Sequence, residues 1–493
     1  MIDNLLIGFG AFSDPLVFIG LLVGAFLGYL IGAIPGLGPT LGVSLLIPFT
    51  YSVDPLVAVV TLVSLYAAAE YGGAISAILI NSPGTAAAVA TSWDGYPLTQ
   101  QGKAGLALNV SIISSGIGIF ISTILLFFTA VPLSEFALNF GPEAYFSLAV
   151  MGLSLVSIFS TGSLIKGGIA MMVGLGLATI GLDAQSGVPR FAFDPEFFEG
   201  LPLVPALLGL FALSEVLCMI EQSNTPQHES SKMSGIFVVP AKVYYNLKLT
   251  LLRSSLMGYV IGIIPGAGAS IASFLSYGIA KRVSKTPEKF CHGSLEGISA
   301  SESANNAAVS GALAPLLALG IPGSPTTAII IGALMIHGIQ PGPLLFTMNP
   351  EVPFTIFASL WISVPVMVLI GLLGAKYWAK VADVPRSILA SIVACICLMG
   401  AYSSENSMFP VYITIAFGIL GYVFRKADIP LAPIVLALVL GEMLETNFRR
   451  AVVISGGDYW VFFQKPLSLI LLSIAIISFL VPLIKWIRRN KNI

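Results

Sequence analysis

Residues 28–38 read Gly-Tyr-Leu-Ile-Gly-Ala-Ile-Pro-Gly-Leu-Gly, and residues 258–268 read Gly-Tyr-Val-Ile-Gly-Ile-Ile-Pro-Gly-Ala-Gly. Eight of the eleven positions are identical, at a fixed offset of 230. Chance likeness between apolar stretches would match Leu, Ile and Val; here Gly, Tyr, Pro and Gly fall in register, which reads as a duplication. A second pair follows at an offset of 239: Ile-Asn-Ser-Pro-Gly-Thr from Ile80 and Leu-Gly-Ile-Pro-Gly-Ser from Leu319. Each half of the chain thus carries two Pro-Gly breaks separated by an apolar helix.

Proline removes a backbone donor and clashes with the preceding turn, while glycine permits the backbone conformations that end helices. At membrane depth the freed polar groups are tolerated only against protein or a wet cavity. Broken helices in corresponding positions of two halves therefore point to a transporter's binding site. Behind the breaks lie Gly36, Gly38 and Thr40; Asn81, Gly84 and Thr85; Gly266, Gly268 and Ser270; and Gly323 and Ser324. Free amides at new helix starts favour an anion. Four such termini are expected to hold a multiply charged carboxylate without any arginine. Taken singly, each glycine reads more simply as a close helix contact.

Composition sets the solvent. Of 493 residues, 56% are hydrophobic and 10% charged, whereas a soluble domain has roughly 25% charged residues. The chain is expected to be an all-α integral membrane protein of two internal repeats, the second inverted relative to the first. A net charge of −1 argues against a nucleic-acid partner. The polar interval after Glu221 divides the chain into a first membrane half (1–220), a linker loop (221–253) and a second half (254–493). Lys376, Lys380 and Arg386, then Arg425 and Lys426, then the basic C-terminal tail alternate with Ser403–Met408, which holds no Lys or Arg. The positive-inside rule so places the linker and C-terminus in the cytoplasm, and leaves Arg449, Arg450 and Lys465 outside, against the rule. Basic sequence flanks residues 258–277 on both sides, so this segment is either a re-entrant hairpin or one tilted span. Asp3 and Asp14 stand where a cleavable signal would be basic, so none is expected.

Glu70 and Glu302 interrupt apolar sequence, each ahead of a Pro-Gly break. Ionisable groups at that depth are expensive and usually functional, so both are candidates for coupling to a sodium ion or proton. Glu302 reads equally as an interfacial carboxylate at a helix start. Asn305 and Asn306 offer amide oxygens to a cation, amide donors to a solute, or links between helices. Asp183, Arg190, Asp194 and Glu196 sit among Phe191, Phe193, Phe197 and Phe198, which reads as an interfacial belt. Three of the four cysteines lie in or beside apolar stretches and read as packed thiols. No phosphate loop, H-E-x-x-H or G-x-S-x-G motif occurs, so neither an ATP-driven pump nor an enzyme is indicated and no cofactor is expected. A carrier and an anion-conducting channel remain, with an intramembrane enzyme behind both.

At these same residues the chain resembles the TctA family, the large membrane subunit of tripartite tricarboxylate transporters. The resemblance is carried by IPGLGP (Ile34–Pro39), YGGAISAILINSPG (Tyr71–Gly84), WDGYPLTQQGKAG (Trp93–Gly105), residues 190–215, IPGAG (Ile264–Gly268), ESANNAA (Glu302–Ala308), LGIPGSPTTA (Leu319–Ala328) and HGIQPGP (His337–Pro343). It implies a secondary carrier in the bacterial inner membrane, working with a small four-helix membrane subunit and a periplasmic solute-binding protein. The implied cargo is a tricarboxylate such as citrate, or a related carboxylate, moved by symport. The implied pocket draws on Gly36, Gly38, Thr40, Asn81, Gly84, Thr85, Gly266, Gly268, Ser270, Asn305, Asn306, Gly323 and Ser324. Three departures stand out: Glu70 replaces a residue usually uncharged in the family, Ser301 stands where proline is common, and Cys291-His292-Gly293 interrupts a Phe-Gly-rich stretch.

Overall fold

The computed structural model describes residues 2–159, 163–183, 185–221, 239–381 and 384–490. The first half comprises α1 (Ile2–Gly10), α2 (Pro15–Ala33), α3 (Gly38–Thr50), α4 (Pro55–Ile80), α5 (Val89–Gln100), α6 (Ala104–Ala137), α7 (Pro142–Phe159) and α8 (Leu164–Ala178). It closes with α9 (Leu203–Leu207) and α10 (Ser214–Glu221), joined through a π-helical turn at Leu208–Leu213. The second half comprises α11 (Ala241–Ile263), α12 (Gly268–Val283), α13 (Leu295–Leu319), α14 (Pro325–Ile336), the single turn α15 (Leu345–Met348) and α16 (Glu351–Val381). It ends with α17 (Arg386–Glu405), α18 (Phe409–Lys426), α19 (Ala432–Ile454), the turn α20 (Val461–Gln464) and α21 (Pro466–Asn490). Among the described residues, eight helices are long and apolar enough to cross a membrane, and the only sheet pairs Gly181–Leu182 with Pro189–Arg190. The protein is an all-α, multi-pass membrane protein.

Local sequence starts the helices cleanly. The Asp14 and Asp54 carboxylates each accept from the amide two residues on, at 2.8 Å, with proline at the first helical position. Glycine then decides the packing. A Cβ at Gly24 would lie 2.2 Å from the Thr61 carbonyl oxygen, one at Gly28 2.6 Å from that of Leu65, and one at Gly32 2.3 Å from that of Ala69. The backbones of α2 and α4 are therefore in contact, as small-residue helix interfaces allow. The contacts advance together along both helices, so α2 and α4 run parallel and α3 must return alongside α2. The same holds for α11 and α13: Cβ atoms at Gly258 and Gly262 would lie 2.3 and 2.6 Å from the Ala304 and Ala308 carbonyl oxygens. Residues 258–277 thus belong to a hairpin, α11–α12, and not to one tilted span.

The hairpins reach the centre from opposite ends of the bundle. The α3 end, at Tyr51, lies beside Glu405 at the close of α17. The base of the second hairpin is held elsewhere: Asp94 of α5 accepts from the Gly293 and Ser294 amides and the Tyr277 hydroxyl at 3.0, 2.8 and 2.9 Å. Helix α6 leaves that end and runs antiparallel to α16, with Phe120 against Trp361 and Ile112 against Gly371. The second hairpin therefore shares its end with Arg386, where α17 begins.

Helix α11 starts at Ala241, so the second part of the expected linker 221–253 is helical. Its early positions, among them Lys242, Asn246 and Lys248, are the polar first turns of a helix entering the apolar layer. Glu221 closes α10, and residues 222–238 of that linker lie outside the described residues.

At the Glu405 end, the loop after α8 is tied down by charge. Asp183 meets Arg449 at 2.8 Å and Arg190 at 3.5 Å, and Glu445 meets Arg190 at 2.7 Å. Arg449, which the charge rule left on the wrong side, is thus neutralised. Phe197 packs on Phe409 with ring centroids 4.9 Å apart, while Phe191 and Phe193 are exposed; the segment is more an ion-paired strap than a simple aromatic belt. The Ser186 amide above all, then that of Gln185 and the Arg449 guanidinium, hold the Asp183 carboxyl well below the usual carboxylate range. A carboxyl depressed in the folded state stabilises it above the ordinary carboxylate pKa, and that contribution is lost as pH falls through the folded value. Asp183→Asn is expected to lower the melting temperature at neutral pH, and the difference from wild type should shrink on strong acidification, read by thermal unfolding across pH.

Candidate solute and ion site

All four Pro-Gly breaks contribute to the wall of one cavity of ≈ 810 Å³, three through Gly36, Gly84 and Gly266 and the fourth through Ser324, which follows Gly323. The backbone geometry of the paired breaks matches. Gly36 and Gly266 have φ of 92° and 82°, Gly38 and Gly268 have 56° and 59°, and the helix-ending Asn81 and Gly320 have 54° and 71°. These left-handed positions demand glycine or asparagine. Past the second break of each half a hydroxyl caps the new helix: Thr85 accepts from the Ala88 amide at 3.3 Å, and Ser324 from that of Thr327 at 3.2 Å.

The halves touch at this point. The Thr40 and Thr326 hydroxyls lie 2.9 Å apart, Tyr66 and Ser324 3.3 Å apart, and Ser273 donates to the Ala87 carbonyl at 2.8 Å. The Gly266 amide donates to the Gly323 carbonyl at 3.1 Å, so that amide is already engaged.

Gly36, Gly38, Thr40, Gly84, Thr85, Gly266, Gly268, Ser270 and Ser324 line the cavity, and so does Glu70. Gly323 lies just behind the wall, where a Cβ would sit 2.7 Å from the Ala312 Cα. Asn81 lines a separate, shallower cavity of ≈ 620 Å³ with Trp93 and Lys281. Glu302, Asn305 and Asn306 are fully buried in α13 and do not face the central cavity. Glu302 is no interfacial carboxylate: Thr91 donates to Oε1 at 2.5 Å and Ser115 to Oε2 at 2.9 Å.

Sequence reading missed one charged residue that matters here. Arg425, at the end of α18, lines the cavity and pairs with Glu215 of α10 at 2.5 Å. Its Nε is buried without a partner. Arg425 is the one basic side chain, and Glu70 the one acidic side chain, among the described residues of the wall. Sequence reading placed no arginine at the site; Arg425 and Lys426 mark the charged end of the bundle, and Arg425 also lines the cavity. An Arg-Lys pair at a helix end carries no signal that separates these roles.

Two helical hairpins and two unwound breaks line one cavity, the broken-helix arrangement found at the binding sites of membrane transporters. The chain belongs to the tripartite tricarboxylate transporter TctA family, whose model matches residues 18–436. It is similar to an uncharacterized 52.8 kDa protein in the TAR-I ttuC' 3' region of Agrobacterium vitis, 35% identical over 493 residues, covering 100% of this chain and 98% of that protein. It is also similar to an uncharacterized protein in the TAR-II ttuC' 3' region of the same organism, 40% identical over 235 residues, covering 48% of this chain and 97% of that protein. No solved structure matches.

Proposed function

We propose that this chain is the large membrane subunit of a tripartite system for uptake of tricarboxylates or related carboxylates across the bacterial inner membrane. The observation that carries the reading is the convergence of four breaks and Arg425 on one cavity. Helix starts supply amides and partial positive charge, and the guanidinium supplies the geometry that matches a carboxylate. A periplasmic solute-binding protein delivers the solute, a small four-helix membrane subunit completes the assembly, and a sodium or proton gradient drives the step. The two halves, 1–220 and 254–493, act as inverted copies; support comes from the matched dihedrals and the opposite entry of the hairpins. Opposite entry gives each membrane face one hairpin over a shared site, as alternating access requires.

Proteoliposomes holding this chain with both partner subunits are expected to accumulate labelled citrate or a related carboxylate when a sodium or proton gradient is imposed. Uptake should saturate with solute. Movement that neither saturates nor follows a gradient would assign the cavity to an anion channel, and turnover of the solute into a new product would return the enzyme reading.

A further inference from the structure

Behind the cavity wall, α13 carries polar atoms that solute binding does not use. Asn305 is fully buried, yet neither its amide oxygen nor its amide nitrogen has a hydrogen-bond partner in the protein. Asn306, equally buried, donates its amide nitrogen to the Glu302 carbonyl at 3.2 Å and leaves its own oxygen unmatched. One turn back stands Glu302, held by Thr91 and Ser115. Across the α4–α13 contact stands Glu70, 6% exposed, with Oε2 unmatched. Buried polar groups without partners are costly and call for an explanation.

The unmatched oxygens, though not the Asn305 amide nitrogen, fit a cation. A proton would satisfy a carboxyl of Glu70 or Glu302 but would leave the amide oxygens of Asn305 and Asn306 as they are. A cation takes carboxylate and amide oxygens alike. Two carboxylates among neutral oxygens suit a low charge, since divalent sites gain affinity from a higher count of charged ligands. Among the described residues no group of three or more His, Cys, Asp or Glu could hold a metal ion.

We infer that Glu70, Glu302, Asn305 and Asn306 bound a sodium site between α4 and α13, directly behind the solute cavity. Its part in coupling rests on the carrier reading above; ion binding itself does not. Glu70 belongs both to this cluster and to the cavity wall. A sodium ion held here cancels a negative charge that faces the incoming carboxylate. Ion and solute then strengthen each other's binding by the same factor, as linkage requires.

The test uses the purified full chain in detergent, unfolded thermally in sodium chloride and in choline chloride at equal ionic strength. Sodium is expected to raise the melting temperature specifically and saturably, as a ligand of the folded state does. Its apparent affinity should fall at least about tenfold in Asn305→Ala and in Glu70→Gln, a loss in the range seen when metal-site contacts are removed. Glu70 sits at the cavity edge, so Glu70→Gln keeps the test decisive if Asn305→Ala fails to fold. Equal melting temperatures in the two salts would overturn the site, as would an undiminished sodium increment in folded Glu70→Gln. Stabilisation that follows pH and ignores sodium would overturn it too. Sodium binding without any carboxylate uptake would leave the site standing and remove the carrier reading instead.

Discussion

Gly84→Val is expected to abolish carboxylate uptake. A Cβ at Gly84 would lie 2.0 Å from the Gly32 carbonyl oxygen and 2.8 Å from the Gly73 Cα. Both obstacles are backbone, and both belong to helices already in backbone contact, so neither can swing aside. Overpacking a tight site costs about 1–3 kcal/mol, and more where the surroundings cannot relax. The Gly84 amide also donates to the Gly73 carbonyl at 3.1 Å, the bond that folds the break back along α4. Moving this loop displaces Thr85 and the start of α5 from the cavity. A loss of at least about 100-fold in uptake rate, equivalent to roughly 2.7 kcal/mol, should be read in proteoliposomes, with size-exclusion profiles separating misfolding from inactivity. The control is Gly268→Ala: its φ of 59° is strained for a side chain, but nothing lies within 4 Å of the added Cβ. It should fold and transport at a reduced rate. Equal activity of Gly84→Val and wild type would show that the first half's break does not shape the site.

Arg425→Gln is expected to raise KM for the carboxylate strongly while leaving the protein in the membrane. A hydrogen bond to a charged group contributes about 1.5–3 kcal/mol, which corresponds to a rise of roughly 10- to 150-fold at about 1.4 kcal/mol per decade. The same change leaves the Glu215 carboxylate, 14% exposed, without its guanidinium. Stranding a buried charge carries its own penalty, so the informative comparison is Arg425→Gln with Glu215→Gln added. If Arg425 contacts the solute, the double variant recovers thermal stability but not affinity. Recovery of both would make the pair purely structural. Arg425→Lys keeps the charge but loses the planar fork, and should fall between.

The Pro-Gly breaks were legible because their chemistry is local. Proline and glycine state where a helix ends whatever surrounds it, so Gly36, Gly84 and Gly266 could be placed at a site from their neighbours alone. What faces the cavity from a continuous helix was not legible. Helix α13 is buried on all sides, so the spacing of Glu302, Asn305 and Asn306 could not say which of them meets the cavity. Arg425 and Glu215 are 210 residues apart, and nothing in either neighbourhood names the other. Asp94 shows the same limit: it sits in a recognisable motif, but its partners Gly293 and Ser294 belong to the other half. The hairpins fall between these cases. Charge on both flanks of residues 258–277 allowed two topologies, and the row of glycines on α11 against α13 decided between them.

That same Asp94 bears on how the protein is made. It is fully buried, and the donors that satisfy it are encoded 199 and 200 residues further along the chain. At a synthesis rate of roughly 5–20 residues per second, the ribosome needs on the order of 10–40 s to deliver them. Throughout that interval the carboxylate of α5 has no native partner from the second half. The N-terminal portion therefore lacks these contacts throughout its translation, however complete its set of helices. Insertion of the early segments is provisional until the late ones arrive, and a nascent chain halted within residues 222–238 should be a substrate for quality-control proteolysis and not a stable half-protein.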